Sequence, residues 1–340
     1  MATQLVDFSV IIPTYNRPEQ LRACLGALAQ QTYLQSRFEV IVVNDGGSDL
    51  TAVVDPFRQA LTISLITQAN SGPGPARNRG ALAAQGQFLA FTDDDCLPRR
   101  DWLQQLFEQC QRTPQALVGG RTFNQLTDNL CSTTSQAIVD VAYRYFNPEP
   151  DRARFFASNN MTFPRRLFLE LGGFHPSFRT SEDREICDRW SHAMVYNGVI
   201  QIDHAHALTL TKFWQQHLSY GEGAFHYHTI RARRGAAPFR PDFSFHGQLL
   251  AEGLKHTPLY RAGAVVGLMF LSQLASTVGY FTARQRAHRD PANLSILDSD
   301  FHLNTESAAA PNRLSSASTS GEMAPVQQPV NPAETIKSEH

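Results

Sequence analysis

QFLAFTDDDC, residues 87–96, decides the fold. Residues 87–91 form an apolar run bounded by polar neighbours, the pattern of a short buried strand. Three carboxylates, Asp93, Asp94 and Asp95, follow at its end. Acids at the carboxyl end of an α/β strand stand where such sheets bind ligands. On an extended backbone Asp93 and Asp95 point to one side and Asp94 to the other. Three like charges this close raise one another's pKa unless a positive partner sits among them, and a divalent cation carrying a diphosphate is such a partner. An isolated acidic triplet is more often a solvated turn, so the rest of the chain must decide.

Working outward, FSVII (8–12), FEVIVV (38–43), LTISLI (61–66) and ALVGG (116–120) are further short apolar runs. Pro18 opens a helical stretch with Leu21, Leu25 and Leu28 at helical spacing. A second helix begins near Pro75, with Ala81, Leu82 and Ala84 on its buried side. Strands alternating with helices of this length predict an α/β fold, a mostly parallel central sheet flanked by helices. The loops PTYNR (13–17), NDGGSD (44–49) and TDDDC (92–96) each follow a strand. They therefore gather on one rim, the expected ligand site.

The middle of the chain, about 121–235, is less regular and rich in aromatics and histidine. It holds FFASNNMTF (155–163), a short helix near 164–171, GGF (172–174) and a helix starting at Ser181. Residues 262–281, AGAVVGLMFLSQLASTVGYF, carry no charge and lie between Arg261 and Arg284. That length just spans a bilayer. Ser272, Gln273, Ser276, Thr277 and Tyr280 nevertheless fall on one helical face, which favours a helix in the membrane interface or packed on the protein. Upstream, Arg231, Arg233, Arg234 and Arg240 among aromatics suit an anionic membrane surface. From 286 onward the chain is polar and low in complexity, the composition of a disordered tail.

Composition narrows the class. With 340 residues the chain holds one large α/β domain or two small ones, and a net charge of −1 gives no footing for nucleic acid. Five cysteines, Cys24, Cys96, Cys110, Cys131 and Cys187, include no CxxC pair and leave one over after pairing. Free thiols in a reducing compartment are expected, neither a disulfide framework nor a zinc site. The opening MATQLVDFSVIIP has no basic stretch before its apolar run, which ends at a proline; it is expected to be a first strand, not a signal peptide.

The loops also have readings of their own. PTYN supplies backbone donors and the Tyr15 ring, against which a nucleobase can stack. Asp45 can accept from a base N–H, or can instead cap a turn or helix. Arg77 falls in the first turn of the second helix, where a guanidinium can bind a base carbonyl or a phosphate. Gly72 and Gly74 are interrupted by prolines and do not follow the first strand, so they are no dinucleotide fingerprint. Glu182 and Asp183 open a helix, where the dipole favours acids by about 0.3–1 kcal/mol without any catalytic role. Histidines 204 and 206 are metal or phosphate ligands, or plain structural histidines.

FSVIIPTYNR, VVNDGGSD, SGPGPARNRG, FTDDDCLP, GGF and SEDREICDRW, in this order and spacing, resemble glycosyltransferase family 2 and its GT-A nucleotide-diphosphosugar fold. The resemblance runs from residue 8 to about residue 230. It implies that Pro13, Thr14, Tyr15 and Asn16 contact the nucleotide and that Asp45 reads the base. Here the first acid of the family's D-D-G-S pattern is replaced by Asn44, and one glycine is extra. Arg77 matches A-R-N-x-G at Ala76, Arg77, Asn78 and Gly80 and is implied as a donor-site residue. Asp93 and Asp94 are implied in ribose and diphosphate binding, with Asp95 and Asp93 holding Mg²⁺ or Mn²⁺. Asp183 matches the general base of an inverting transfer; Glu182, Arg189, Asn159 and Asn160 match positions near the sugar or acceptor. His204 and His206 are candidate late metal or phosphate ligands. WQQH at 214–217 does not match the family's QxxRW, which points to transfer of single sugars rather than polymerisation.

The expected organisation is a GT-A domain over 1–235 (nucleotide-binding half 1–120, acceptor half 121–235), a membrane-associating segment over 236–285 with its apolar helix, and a tail over 286–340. The expected activity is metal-dependent transfer from a nucleotide-diphosphate sugar, UDP-linked, to a hydroxyl of a lipid-linked or polysaccharide acceptor. A glycan or glycolipid acceptor and peripheral membrane contact at the cytoplasmic face are the expected partners, with no nucleic acid; the sequence does not set the oligomeric state. Two rivals stand beside this. A sugar-phosphate nucleotidyltransferase needs a Gly-rich, lysine-bearing loop after the first strand, which PTYNRPEQ lacks. A non-catalytic membrane-associated binding protein on the same fold is opposed by the intact Asp95 and Asp183.

Overall fold

The computed structural model describes residues 6–236, 247–249, 251 and 259–290. Strand β1 (Phe8–Thr14) leads into helix α1 (Pro18–Ala29), and β2 (Phe38–Asn44) lies parallel to β1 in direct register, Val10 against Val40. A short helix α2 (Thr51–Val54), strand β3 (Ile63–Thr67), helix α3 (Pro73–Ala83) and strand β4 (Phe88–Phe91) complete a parallel half-sheet in the order β3-β2-β1-β4. Every residue of β1 and β2 is buried. Side chains alternate between faces, so Val10, Ile12, Val40 and Val42 pack toward α1 and α2, while Ile11, Ile41 and Val43 pack toward α3. Two covered faces are why these strands read as unbroken apolar runs.

Strand β5 (Cys96–Pro98), helix α4 (Trp102–Arg112), strand β6 (Leu117–Asn124), helix α5 (Leu130–Phe146), strand β7 (Met161–Pro164), helices α6 (Arg165–Glu170) and α7 (Glu182–Arg189) and strand β8 (Met194–His204) follow. They extend the sheet to eight strands, β3-β2-β1-β4-β7-β6-β8-β5, with β7 antiparallel to both its neighbours. Helix α8 (Leu210–Arg233) and helix α9 (Leu259–Arg289) stand outside the sheet and pack on each other and on α5.

Several expectations shift. The second helix starts at Pro73, so Arg77 lies in its second turn, not its first. Gly80 lets α3 settle on β1, since a Cβ there would stand 2.5 Å from Ile11 Cγ2. The irregular middle contains two long helices, α5 and α8; α5 buries Ser132, Thr134 and Ser135 along with Val141, so its buried side is partly polar. Helix α9 continues to Arg289, past the expected boundary at 285. The rest of the tail (291–340) and Arg240 lie outside the described residues.

The polar stripe of the apolar helix is packed on the protein. Ser276 Oγ donates to the His217 carbonyl at 3.1 Å. The two helices touch backbone to backbone: a Cβ on Gly221 would lie 1.9 Å from Ser276 O, and one on Gly279 would lie 2.0 Å from Leu218 O. Away from the cavity α9 exposes Phe270, Leu274 and Val278, while the exposed Phe281 borders the cavity.

Candidate active site

The carboxyl ends of β1, β2 and β4 converge as expected, where Thr14 O accepts from Asp45 N at 2.9 Å and Thr14 Oγ1 donates to Asp94 at 2.7 Å. They open onto a cavity of about 1130 Å³. Of the residues singled out from the sequence, Pro13, Thr14, Tyr15, Asp45, Arg77, Asp93, Asp94, Asp95, Asn159, Glu182, Asp183, His204 and His206 line it; Asn16, Asn160 and Arg189 do not. Helices α5, α8 and α9 supply the far wall.

The acidic triplet is arranged differently from an extended strand. Asp94 and Asp95 lie in a turn, so they share one cation instead of facing apart: Arg17 Nη1 stands 3.1 Å from Asp94 and 3.0 Å from Asp95. Asp93 binds the other guanidinium, Arg77 Nη2, at 2.6 Å. Burial pushes the Asp94 carboxyl up to about 6 against the pull of Arg17. Burial acts on Asp95 too, but the hydrogen bond and charge of His204, with Arg17, hold its pKa well below the ordinary carboxylate value. The His204 Nε2 to Asp95 Oδ1 distance is 3.1 Å.

Opposite the triplet, α7 presents Glu182 and Asp183. Arg77 ties the two sides together, donating to Glu182 at 3.0 Å as well as to Asp93. Burial raises the pKa of both acids; for Glu182 the neighbouring Asp183 adds to it, and for Asp183 the hydrogen bond from Arg184 N opposes it. A raised carboxylate facing a cavity is suited to accept a proton near neutral pH.

Other residues prove to be braces. The Asp45 carboxylate accepts from Gln68 Nε2, Ser71 N, Ser71 Oγ and Gly72 N, fixing the 68–72 loop at the cavity edge. The extra Gly47, at φ +99°, makes room for Asn16: a Cβ there would lie 2.2 Å from Asn16 Oδ1. Asn160 is a core strut, accepting from Trp102 Nε1 and donating to the Arg121 and Ile200 carbonyls. Arg189 faces away from the cavity and clamps the GGF turn through the Leu171 and Gly173 carbonyls, held by Glu185.

Asp95, Cys96 and His204 bring one possible ligand atom each within 4.8 Å. Cys96 belongs to the apolar core, and burial drives its thiol pKa well up, which disfavours the thiolate a metal needs. Carboxylate oxygen and imidazole remain, a donor set that fits Mn²⁺. The ring of the second histidine, His206, lies 5.0 Å from that of His204 and tilted to it; burial and its neighbour's charge push it down to about 4, so it stays neutral.

Arg17 was not assigned a role from the sequence. The signal was present, since three clustered acids need a cation and the PTYNR loop ends in one. Gln216, His217 and Tyr220 on α8 also line the cavity. Nothing local marks them, because their role exists only where α5, α8 and α9 meet.

Residues 9–172 match glycosyl transferase family 2. Among curated proteins, glycosyltransferase AglE of Haloferax volcanii is 39% identical over 125 residues, 35% of this chain and 40% of that one. The poly(ribitol-phosphate) β-N-acetylglucosaminyltransferase TarS of Staphylococcus aureus is 37% identical over 94 residues, 27% of this chain and 16% of that one. The matched stretches thus span well under two thirds of these relatives. Among solved structures, the mannosyltransferase PcManGT of Pyrobaculum calidifontis, in complex with GDP-Man and Mn²⁺, aligns with a TM-score of 0.57 at 18% identity, over 85% of this chain and 88% of that one. Residues 1–349 of S. aureus TarS, in complex with UDP-GlcNAc, align at 0.51 and 16% identity, over 84% and 92%. At such identities the likeness is one of fold.

Proposed function

Residues 9–172 are a glycosyltransferase family 2 domain on the GT-A fold, and from that premise we propose that the chain moves a sugar, with inversion, from a nucleotide-diphosphate donor to an acceptor hydroxyl. One observation carries the reading: Asp183 and the acidic triplet face a single cavity, with Arg77 linking Asp93 to the Glu182 beside that base. The donor's nucleotide lies along Thr14, Tyr15 and the Asp45-braced loop, UDP being the expected nucleotide. Arg17 and Arg77 fix the carboxylates that meet the ribose and diphosphate. Asp95 and His204 would hold Mn²⁺ or Mg²⁺, which supplies charge neutralisation for the leaving diphosphate.

In the transfer, Asp183 takes the proton of the acceptor hydroxyl while that oxygen forms a bond to the anomeric carbon. The bond from that carbon to the diphosphate oxygen breaks, and the nucleoside diphosphate leaves with the electron pair. Asn159 borders the space between the two halves. The exposed side of α9, with Arg284 and Arg289 beside it, suits peripheral contact with the inner face of a membrane carrying a lipid-linked or polysaccharide acceptor. By length and composition α9 is apolar enough to cross a bilayer. Its polar stripe packs on α8 and the cavity, which favours lying on the membrane.

The test is turnover of UDP-, GDP- and dTDP-sugars with Mn²⁺, by wild type and Asp183→Asn. Loss of roughly 10²–10⁴ in rate with nucleotide binding kept supports Asp183 as base. Equal rates would overturn that assignment, and no turnover of any donor by wild type would favour a non-catalytic binding protein.

A further inference from the structure

Two buried polar atoms on the α5–α8–α9 side of the cavity have no hydrogen-bond partner among the described residues: His217 Nε2 and Gln216 Oε1. Both residues line the cavity. His217 is only 3% exposed, and its ring is fixed between Phe213, at 4.4 Å, and Tyr220, at 5.5 Å. The Gln216 amide is oriented too, donating to Ser135 Oγ at 3.1 Å and Tyr220 OH at 2.9 Å, which leaves its oxygen facing away from those partners. An unpaired buried group costs about 1–3 kcal/mol, so two such groups lining one cavity call for an occupant.

We propose that His217 and Gln216 form the acceptor subsite, taking a neutral sugar ring whose hydroxyls donate to His217 Nε2 and Gln216 Oε1. The inference rests on the glycosyltransferase reading and deepens it. Polarity selects the ligand class: the lining residues contributed by α5, α8 and α9 are uncharged and offer hydroxyl, amide and imidazole groups, while Arg184, which also lines the cavity, lays its guanidinium over Phe146 of α5 and Tyr227 of α8. Burial holds His217 neutral, leaving a ring nitrogen to accept. Ile138, Val139 and Phe281 provide the apolar surface that a sugar's C–H faces need.

The subsite is also in the right place. Helix α8 packs on the turn that leads into Asp183, where Thr180 Oγ1 donates to the Ser219 carbonyl at 2.8 Å. Gly223 makes that approach possible, since a Cβ there would lie 2.5 Å from Thr180 Oγ1. Tyr220 is 43% exposed, and its phenol pKa is raised by desolvation at the hydroxyl, to which the charge of Asp183 adds. A sugar held by His217 and Gln216 therefore sits beside the proposed base.

The test is binding of methyl β-glucoside, β-galactoside, β-N-acetylglucosaminide and α-mannoside to the full chain, followed by saturation-transfer NMR without nucleotide. Wild type is expected to bind at least one of them. His217→Phe, which keeps the ring volume, should weaken that binding about tenfold, the size of one lost hydrogen bond, and His217→Gln should restore most of it. Gln216→Met carries the same expectation should His217→Phe not fold. No binding to wild type at about 50 mM, or equal binding by the variants, would overturn the subsite. The donor-turnover assay fails or succeeds on other grounds, so the two readings are separable.

Discussion

Arg77 donates to Glu182 at 3.0 Å across 105 positions of chain, and both side chains are almost wholly buried. The same guanidinium holds Asp93 at 2.6 Å, so one residue joins the donor acids to the helix that carries Asp183. Removing the cation alone leaves Glu182 buried and uncompensated. Arg77→Met should therefore cost about 3–5 kcal/mol in urea unfolding, and adding Glu182→Leu should recover most of it. A loss below about 1 kcal/mol for Arg77→Met would show that the bridge carries no such weight.

Acid should unfold this chain partly through its buried histidines. Burial lowers His217 and His206 to about 4 in the folded state, below the ordinary value of 6.5. A depressed pKa means stability that is present above about 6.5 and lost as the pH falls toward 4. Asp94 works oppositely: raised to about 6 from 3.8, its contribution is present at low pH and lost as the pH rises through 6. His217→Phe isolates one histidine from this balance. Between pH 7 and 4, wild type should lose up to about 3 kcal/mol relative to the variant. A difference that does not change with pH would mean that His217 does not titrate in this window.

The parallel half of the sheet was legible because β1 and β2 bury every residue, so a plain apolar run marks each strand. The acidic triplet was legible as a donor site only in company, and its internal geometry was not. Alternation along an extended chain cannot foresee the turn that lets Arg17 bridge Asp94 and Asp95. Arg189 and Asn160 were misread for a related reason: each sits close in sequence to cavity residues, yet its side chain leaves in another direction to satisfy backbone carbonyls. Of the α5–α8–α9 wall only the polar stripe of α9 was legible, since α5 turns Ser132, Thr134 and Ser135 inward and no apolar pattern marks that part of it.

That wall depends on two glycines. Helices α8 and α9 approach so closely that Gly221 and Gly279 each face the other helix's backbone at about 2 Å from where a Cβ would be. Gly221→Ala or Gly279→Ala must push the helices apart, at a cost of about 1–3 kcal/mol. Gly267, on the same α9, has nothing within 4 Å, and Gly267→Ala should be neutral or stabilising by up to about 1 kcal/mol. Thermal melts of the three variants check this. Equal melting temperatures for Gly221→Ala and Gly267→Ala would mean the helices are not packed in this way.

The outer side of α9 is the natural place to test membrane contact, because removing the helix would also remove the cavity wall. Phe270 is 71% and Leu274 45% exposed, and neither lines the cavity. Each large apolar side chain transferred from water is worth about 1.5–3 kcal/mol. Phe270→Ser with Leu274→Ser should therefore weaken co-sedimentation with anionic vesicles at least about tenfold, without lowering the melting temperature. Neutralising Arg284 and Arg289 should weaken it further, by about 1 kcal/mol each at low salt, and raised salt should mask that part alone. Vesicle binding unchanged in the Phe270→Ser/Leu274→Ser protein would remove α9 as the membrane contact, and the acceptor would then have to reach the cavity from solution.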